Sequence, residues 1–295
     1  MVAEQGRPAE VEASADGAAA GYRPAGTLRV STEIRRQVTR RRTQLVLGFL
    51  VLLPVVLFLA FRFGTDDSGD GNGGGFVSMA KSGGANFTVF TLLVSASFLL
   101  VVVVALFCGD TVASEASWGS LRYLLAAPVP RSRLLAVKLV VGLLSSAVAM
   151  VLLTGTALLV GTLAFGWRPL QTMTGDSIPA GTAVLRIAGV VGYLAVGLLV
   201  TAGVAFLLSV WTDAALGAVG GAVLVFIVSS ILDQVTALGG LRAVLPTHYQ
   251  DAYLDLLAEP VRWDQLAKGS ISALLYAAVF VALAWWRFLR KDITS

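Results

Sequence analysis

The chain has 295 residues, of which 56% are hydrophobic and only 14% are charged. Soluble domains carry about 25% charged residues, so this composition excludes an ordinary soluble domain and indicates a protein that faces lipid. The formal net charge of +4 does not indicate nucleic-acid binding, because the basic residues cluster beside the apolar runs, where lipid headgroups and topology signals account for them. The single cysteine, Cys108, excludes an intramolecular disulfide and a metal site built from several cysteines.

Long apolar runs define the domain organisation. A spanning helix needs about 20 predominantly apolar residues. Charge-free runs of that order occur at 43–61, 85–109, 139–167, 187–212, 214–232 and 269–286. We therefore predict an all-α integral membrane protein with six transmembrane helices in one domain, residues 28–292. Residues 1–27 are predicted to be a disordered cytoplasmic tail, and 293–295 to be the cytoplasmic C-terminus.

The distribution of cations predicts the orientation. Fifteen of the 22 Lys and Arg residues fall before the first span, in 122–138 or in 287–291, and seven fall in the alternate connections. Loops rich in Lys and Arg stay in the cytoplasm, so both termini are predicted to be cytoplasmic in a multi-pass protein of the plasma membrane.

The segment before the first span has a helical pattern. Val30, Ile34 and Val38 recur every four residues, and arginines occupy much of the remaining surface. This pattern predicts a basic amphipathic helix over 28–42 that lies in the cytoplasmic interface of the bilayer. The alternative is a simple positive-inside anchor, which requires the charges but not the spacing.

A polar, basic insert separates the second and third spans. Its leucines, Leu121, Leu124 and Leu125, fall on one helical face, and Pro128 ends the helix. The insert predicts a short helix over 111–127 that offers one face to a soluble partner. An ordinary solvated loop is the alternative. The basic residues at the start of the third span are expected to meet lipid phosphates; they are Arg131, Arg133 and Lys138.

Two other connections are predicted on the outer side. The Gly-, Asp- and Ser-rich stretch 64–84 should be a flexible linker, since it lacks the closing glutamate of a calcium-binding loop. The segment 234–268 is longer than a connection requires, and its tyrosines and leucines among acids predict short helices that dip into the outer interface.

The residues of a catalytic site are missing from the sequence. The one histidine, His248, has no neighbouring cysteines, so neither a metal site nor catalytic residues are predicted. No Gly-Lys pair occurs, so the chain has no P-loop for ATP. Ionisable residues inside the runs fall near the ends of spans, whereas an ion-coupled carrier places them near the midplane.

Three stretches resemble the permease subunits of type-2 ABC exporters. The stretch GDTVASEASWGSLRYLLAAPVPRSRLLAVK is similar to that family's first cytoplasmic loop, with its landmarks at Glu115, Gly119, Leu124-Leu125 and Pro128-Val129. LLSVWTDAALGA is similar to the turn between the fourth and fifth spans, and LPTHYQDAYLDLLAEPVRW with the AWWRFLRKD ending completes the likeness over roughly 28–292. The family usually has Gly-Thr where this chain has Gly119-Ser120.

The resemblance implies a half-transporter. Two such permeases, identical or different, would assemble with two separate cytoplasmic ABC ATPases, which would bind ATP and Mg²⁺, so the permease would hold no cofactor and would not be an enzyme. The helix 111–127 would dock on the ATPase as a coupling helix. Its contact residues would be Glu115, Trp118, Gly119, Leu121, Arg122, Leu124, Leu125 and Pro128. Substrate-binding residues are not indicated. The alternatives are a membrane scaffold or sensor without transport, and an ion-coupled secondary carrier.

Overall fold

A computed structural model describes residues 29–64, 73–117, 130–172 and 177–290. Within these ranges the α-helices are α1 Val30–Thr39, α2 Arg41–Phe63, α3 Gly73–Lys81, α4 Gly84–Ala96, α5 Leu99–Ser117, α6 Arg131–Phe165, α7 Ala180–Gly197, α8 Leu199–Trp211, α9 Ala215–Gln234 and α10 Asp264–Leu289. Two 3-10 helices, Thr236–Val244 and Gln250–Leu257, connect α9 to α10. Strand β1, Leu170–Gln171, pairs antiparallel with β2, Ser177–Ile178.

The long helices match the predicted apolar runs. Among the described residues, five helices are long and apolar enough to cross a membrane, with α7 and α8 counted together as one span. A sixth span results if the pair α4 and α5 is included. That pair bends by 59° at its junction. The prediction of an all-α membrane protein is confirmed, with five or six spans.

The outer surface of the bundle is apolar. Leu163, Leu185 and Leu216 are 79%, 74% and 85% exposed, and similar side chains cover the outer faces of α2, α9 and α10. An exposed apolar surface of this extent marks contact with a membrane. The lipid therefore covers the side chains that water would otherwise meet.

Helix α8 forms the centre of the bundle. It packs against α5, α9 and α10, and its Phe206 is fully buried.

Because lipid supplies little hydrophobic force between helices, close backbone approach becomes important. Gly84 of α4 provides one such approach: a Cβ there would lie 2.7 Å from the backbone nitrogen of Thr162 in α6.

Three local features differ from the sequence prediction. Residues 73–81, within the predicted flexible linker, form α3, while 65–72 lie outside the described residues. The ribbon of β1 and β2 was not predicted. The second span was expected to end at Gly109, but α5 extends to Ser117 because Asp110 and Glu115 find partners inside the protein.

The bundle has two chemically different ends. At one end, α1 lies beside the start of α6 and the last turns of α5. We call this the α1 end. The opposite end, where α9 stops and α10 begins, carries the two 3-10 helices, and we call it the 3-10 end. The 3-10 helices confirm that the segment 234–268 contains short helices.

Candidate functional site

The main polar site of the α1 end is a group of charged side chains that contact one another. It joins three helices that are far apart in sequence, namely α1, α5 and α6. We call this group the α1 cluster. Its members are Glu33, Arg36, Arg40, Arg42, Asp110, Glu115 and Lys138.

Glu115 is the central acceptor of the α1 cluster. Its side chain is fully buried, and Arg36 Nη1 of α1 donates to its Oε1 at 2.9 Å. Lys138 Nζ of α6 donates to the same oxygen and also to Glu33 of α1. Lys138 is only 3% exposed. One carboxylate therefore holds α1 and α6 against the last turns of α5.

Asp110 forms the second part of the α1 cluster. Arg40 Nη1 donates to Asp110 Oδ2 at 3.0 Å, and Arg42 Nη1 donates to Oδ1 at 2.9 Å. Both oxygens of the carboxylate are thus engaged by cations at the junction of α1 and α2. Charge-assisted hydrogen bonds of this kind are shorter and stronger than neutral ones.

The spacing of residues in α1 explains how the cluster forms. The side of α1 that faces the protein carries Val30, Glu33, Ile34 and Gln37, of which Gln37 is buried. These positions follow the i, i+3, i+4, i+7 pattern of one helical face. Val38, in contrast, is 49% exposed. The inner face therefore combines two apolar residues with two polar ones.

The end of α5 is also fixed by neutral hydrogen bonds. The Ser209 hydroxyl of α8 accepts from the backbone N–H groups of Val112 at 3.1 Å and of Ala113 at 3.0 Å. The Ser114 hydroxyl donates to the carbonyl of Asp110 within α5. The last turns of α5 are thus attached to α1, α6 and α8.

The structure describes one of the predicted coupling residues. Glu115 lies in the α1 cluster and contacts its own chain, so in this arrangement its carboxylate is not exposed to a partner. The other predicted contact residues lie outside the described residues; they are Trp118, Gly119, Leu121, Arg122, Leu124, Leu125 and Pro128. Their docking role, and that of Glu115, stays a prediction.

Three local expectations change. Residues 111–117 are the last turns of α5 rather than the start of a separate helix. Lys138 contacts Glu33 and Glu115, not lipid phosphates. Arg36, Arg40 and Arg42, predicted to occupy the polar surface of the amphipathic segment, pair with carboxylates of α5. The physical reason is the same in each case, since a buried charge requires an opposite charge as partner.

The sequence contained a signal for this cluster that the four-residue spacing alone does not reveal. Glu33 and Gln37 share a face with Val30 and Ile34, so a polar pair interrupts the apolar stripe of α1. A carboxylate on such a face needs a cation from another element. Lys138, which lies 105 residues further along the chain, supplies it.

The cluster holds three helices together. Among the residues that the structure describes, no group of three or more His, Cys, Asp or Glu side chains is placed to hold a metal ion. Removing one partner of a buried ion pair costs about 3–5 kcal/mol, because the other charge is then left uncompensated. The cluster therefore joins α1, α5 and α6 firmly.

Sequence comparison places this architecture in a family. No curated protein matches the chain. The family model described as "Protein of unknown function (DUF2705)" matches residues 52–294, which run from within α2 past the end of α10. The chain therefore belongs to the DUF2705 family.

Proposed function

We propose that the chain is the permease subunit of an ATP-binding-cassette transporter that exports a substrate across the plasma membrane, driven by ATP hydrolysed in a separate subunit. One observation carries the proposal. The last turns of α5, directly before the segment that resembles a coupling helix, are tied by buried ion pairs to α1 and α6.

This arrangement gives the segment 118–129 a mechanical connection to the bundle. A force applied there reaches Glu115, only three residues before Trp118. From Glu115 it passes to Arg36 in α1 and to Lys138 in α6. Because breaking these pairs costs several kcal/mol, the three helices move as one body when the segment moves. Rigid-body motion of helices is a common way to switch between two states.

The proposed complex contains two permeases and two cytoplasmic ATPases. With the termini in the cytoplasm, as the distribution of Lys and Arg favours, the α1 end faces the ATPases. ATP and Mg²⁺ bind to the partner subunits, and this chain contributes the path through the membrane. The residues that contact the ATPase are those of the coupling segment, with Arg122 as the principal cation.

The position of buried charges bears on the ion-coupled alternative. Among the described residues, the buried charged side chains are Asp110, Glu115 and Lys138, and each belongs to the α1 cluster. Ion-coupled carriers use ionisable groups near the midplane of the bilayer. The location of these charges therefore favours an energy source outside the chain.

The test is association with an ATPase. The tagged full-length chain is purified with a candidate ABC ATPase, and the rate of ATP hydrolysis is measured in lipid nanodiscs. One charge-assisted hydrogen bond contributes about 1.5–3 kcal/mol, so Arg122→Ala should weaken association about tenfold or more. Lys268→Ala, an exposed cation at the 3-10 end, is the matched control and should change nothing.

Two results contradict the proposal. The first is a functional chain with which no ATPase associates, as expected of a scaffold, a sensor or a secondary carrier. The second is an Arg122→Ala variant, combined with substitution of Leu121, Leu124 and Leu125, that associates with the ATPase and stimulates it like the wild type. Either result removes the coupling role of the segment 118–129.

A further inference from the structure

A cavity extends from the 3-10 end towards the middle of the bundle. It encloses about 600 Å³, part of which is open to solvent. Its walls come from the junctions α4–α5 and α7–α8, from α9 and α10, and from residues 246–253. The cavity is therefore a cleft that a ligand could enter from the 3-10 end.

Two interrupted helices meet in the wall of this cavity. Ala96 and Ser97 lie where the α4–α5 pair bends, and Gly197 and Leu198 lie where α7 passes into α8. Irregular backbone at membrane depth is tolerated where it is buried in protein or lines a water-filled cavity.

Two polar groups of the cavity could accept a hydrogen bond from a cation. Gln250 Oε1 is buried and has no hydrogen-bond partner among the described residues. The neighbouring Asp251 is exposed, which puts its carboxylate at the open side, and it is the one charged residue among the described lining residues. Partial burial and, secondly, the Asp233 carboxylate raise the pKa of Asp251 above its usual 3.8, while a hydrogen bond with the Gln250 side chain lowers it. A bound cation would offset the repulsion from Asp233.

Aromatic rings complete the wall. Tyr193, Tyr249 and Tyr253 line the cavity, and the Tyr193 hydroxyl donates to the carbonyl of Tyr249 at 2.7 Å. Burial, with a further contribution from Asp251, raises the pKa of Tyr253 to about 12, so the phenol stays neutral. The faces of such rings attract cations, and the effect is stronger where water is excluded.

We propose that this cavity binds an amphipathic protonated amine, whose ammonium group lies between Gln250 Oε1 and the Asp251 carboxylate. Gln250 Oε1 requires a donor, which an ammonium N–H supplies and a carboxylate does not. The apolar body of the ligand lies against Leu194, Leu198 and Phe226. That such an amine is the transported substrate rests on the proposed function, whereas its binding to the cavity does not.

The test measures binding without any ATPase. The full-length chain in lipid nanodiscs is titrated with radiolabelled phenylbutylamine, and the signal of empty nanodiscs is subtracted. We expect saturable binding. Phenylbutanol and phenylbutyrate should compete at least about tenfold more weakly, because they lack the ammonium charge. Equal competition by the alcohol, or the absence of saturable binding, overturns the proposal.

Variants identify the residues. Asp251→Asn should lower the affinity for phenylbutylamine about tenfold, whereas Asp264→Asn in the first turn of α10 should leave it unchanged. Wild-type affinity in Asp251→Asn contradicts the assignment. If that variant does not fold, Tyr249 provides a second test: Tyr249→Phe keeps the ring and should keep the affinity, and Tyr249→Leu should lower it about threefold. Equal affinities of these two variants also contradict it.

The binding test separates this inference from the proposed function. Saturable amine binding by a chain that associates with no ATPase leaves the binding site intact and removes the transporter proposal. A chain that associates with the ATPase but does not bind the amine leaves the transporter proposal intact and removes the binding site.

Discussion

Asp251 at the 3-10 end differs in its contacts from the buried carboxylates at the α1 end. At the α1 end, Asp110 and Glu115 are each contacted by two cations of the same chain, and both are buried. At the 3-10 end, Asp251 forms no ion pair with any described residue and lies at the open side of a cavity. A closed network holds helices together, whereas a carboxylate without an ion pair can bind a cation. This difference is the basis for proposing force transmission at the α1 end and ligand recognition at the 3-10 end.

The comparison requires that the two ends face opposite sides of the membrane. A test by cysteine labelling should give an all-or-none difference between the ends. In a Cys108→Ala background, Gly240→Cys at the 3-10 end should react with a membrane-impermeant maleimide added to intact cells. Ser117→Cys, at the exposed end of α5, should react only after the cells are permeabilised. The cation distribution is the reason. Labelling of Ser117→Cys in intact cells would reverse the orientation and remove the coupling proposal.

The second test addresses the difference in burial. Glu115→Ala leaves Lys138 buried without its main carboxylate, so the free energy of unfolding should fall by about 3–5 kcal/mol. Glu259→Ala is the matched control. Its side chain is 54% exposed and accepts from Arg186 at 2.9 Å, and the loss of an exposed pair costs about 1 kcal/mol or less. Thermal unfolding in detergent measures both.

A double substitution sharpens this prediction. Glu115→Leu combined with Lys138→Met replaces the buried pair by apolar side chains, which should restore most of the lost stability. A thermal midpoint for Glu115→Ala equal to that of Glu259→Ala would show that the two ends do not differ in this respect.

The smallest expected effect concerns the shape of the cavity. A Cβ at Gly269 would overlap the Tyr193 hydroxyl and lie 2.7 Å from Tyr249 Cβ. Gly269→Ala should therefore displace Tyr193, lower stability by about 1–3 kcal/mol and weaken amine binding. Gly192→Ala is the control, because a Cβ there meets nothing within 4 Å. Unfolding and phenylbutylamine titration report the two effects, and identical behaviour of the two variants would contradict the crowding at Tyr193.

The spans were predictable because their signal is local. An apolar run of about 20 residues is favourable in a bilayer whatever its neighbours are. The runs 43–61 and 269–286, for example, lie inside α2 and α10. The helix break between Ala96 and Leu99 was not predictable, since the intervening Ser97 and Phe98 include neither proline nor glycine. Beside the break, α4 packs against α6 and α7.

In the candidate sites, individual residues were predictable from the sequence but their contacts were not. The sequence shows the charges of the N-terminal arginines and of Asp110 and Glu115. It does not show which of these charges pair, because the pairing depends on the packing of α1 and α6 on α5. The residues of the cavity come from five α-helices, two helix junctions and the segment 246–253, so no local spacing could group Tyr193 with Gln250. Only the packed bundle brings them together.

The sequence alone determined that the protein is helical, that it spans a membrane and where its long helices lie, because length and hydrophobicity act within each segment. Only the tertiary structure decided which charges are neutralised and which acceptors remain open, because these depend on contacts between residues far apart in the chain. Lys138, 23 residues from Glu115 and 105 from Glu33, illustrates the difference. Its charge was evident in the sequence, but its burial between two carboxylates is a property of the fold.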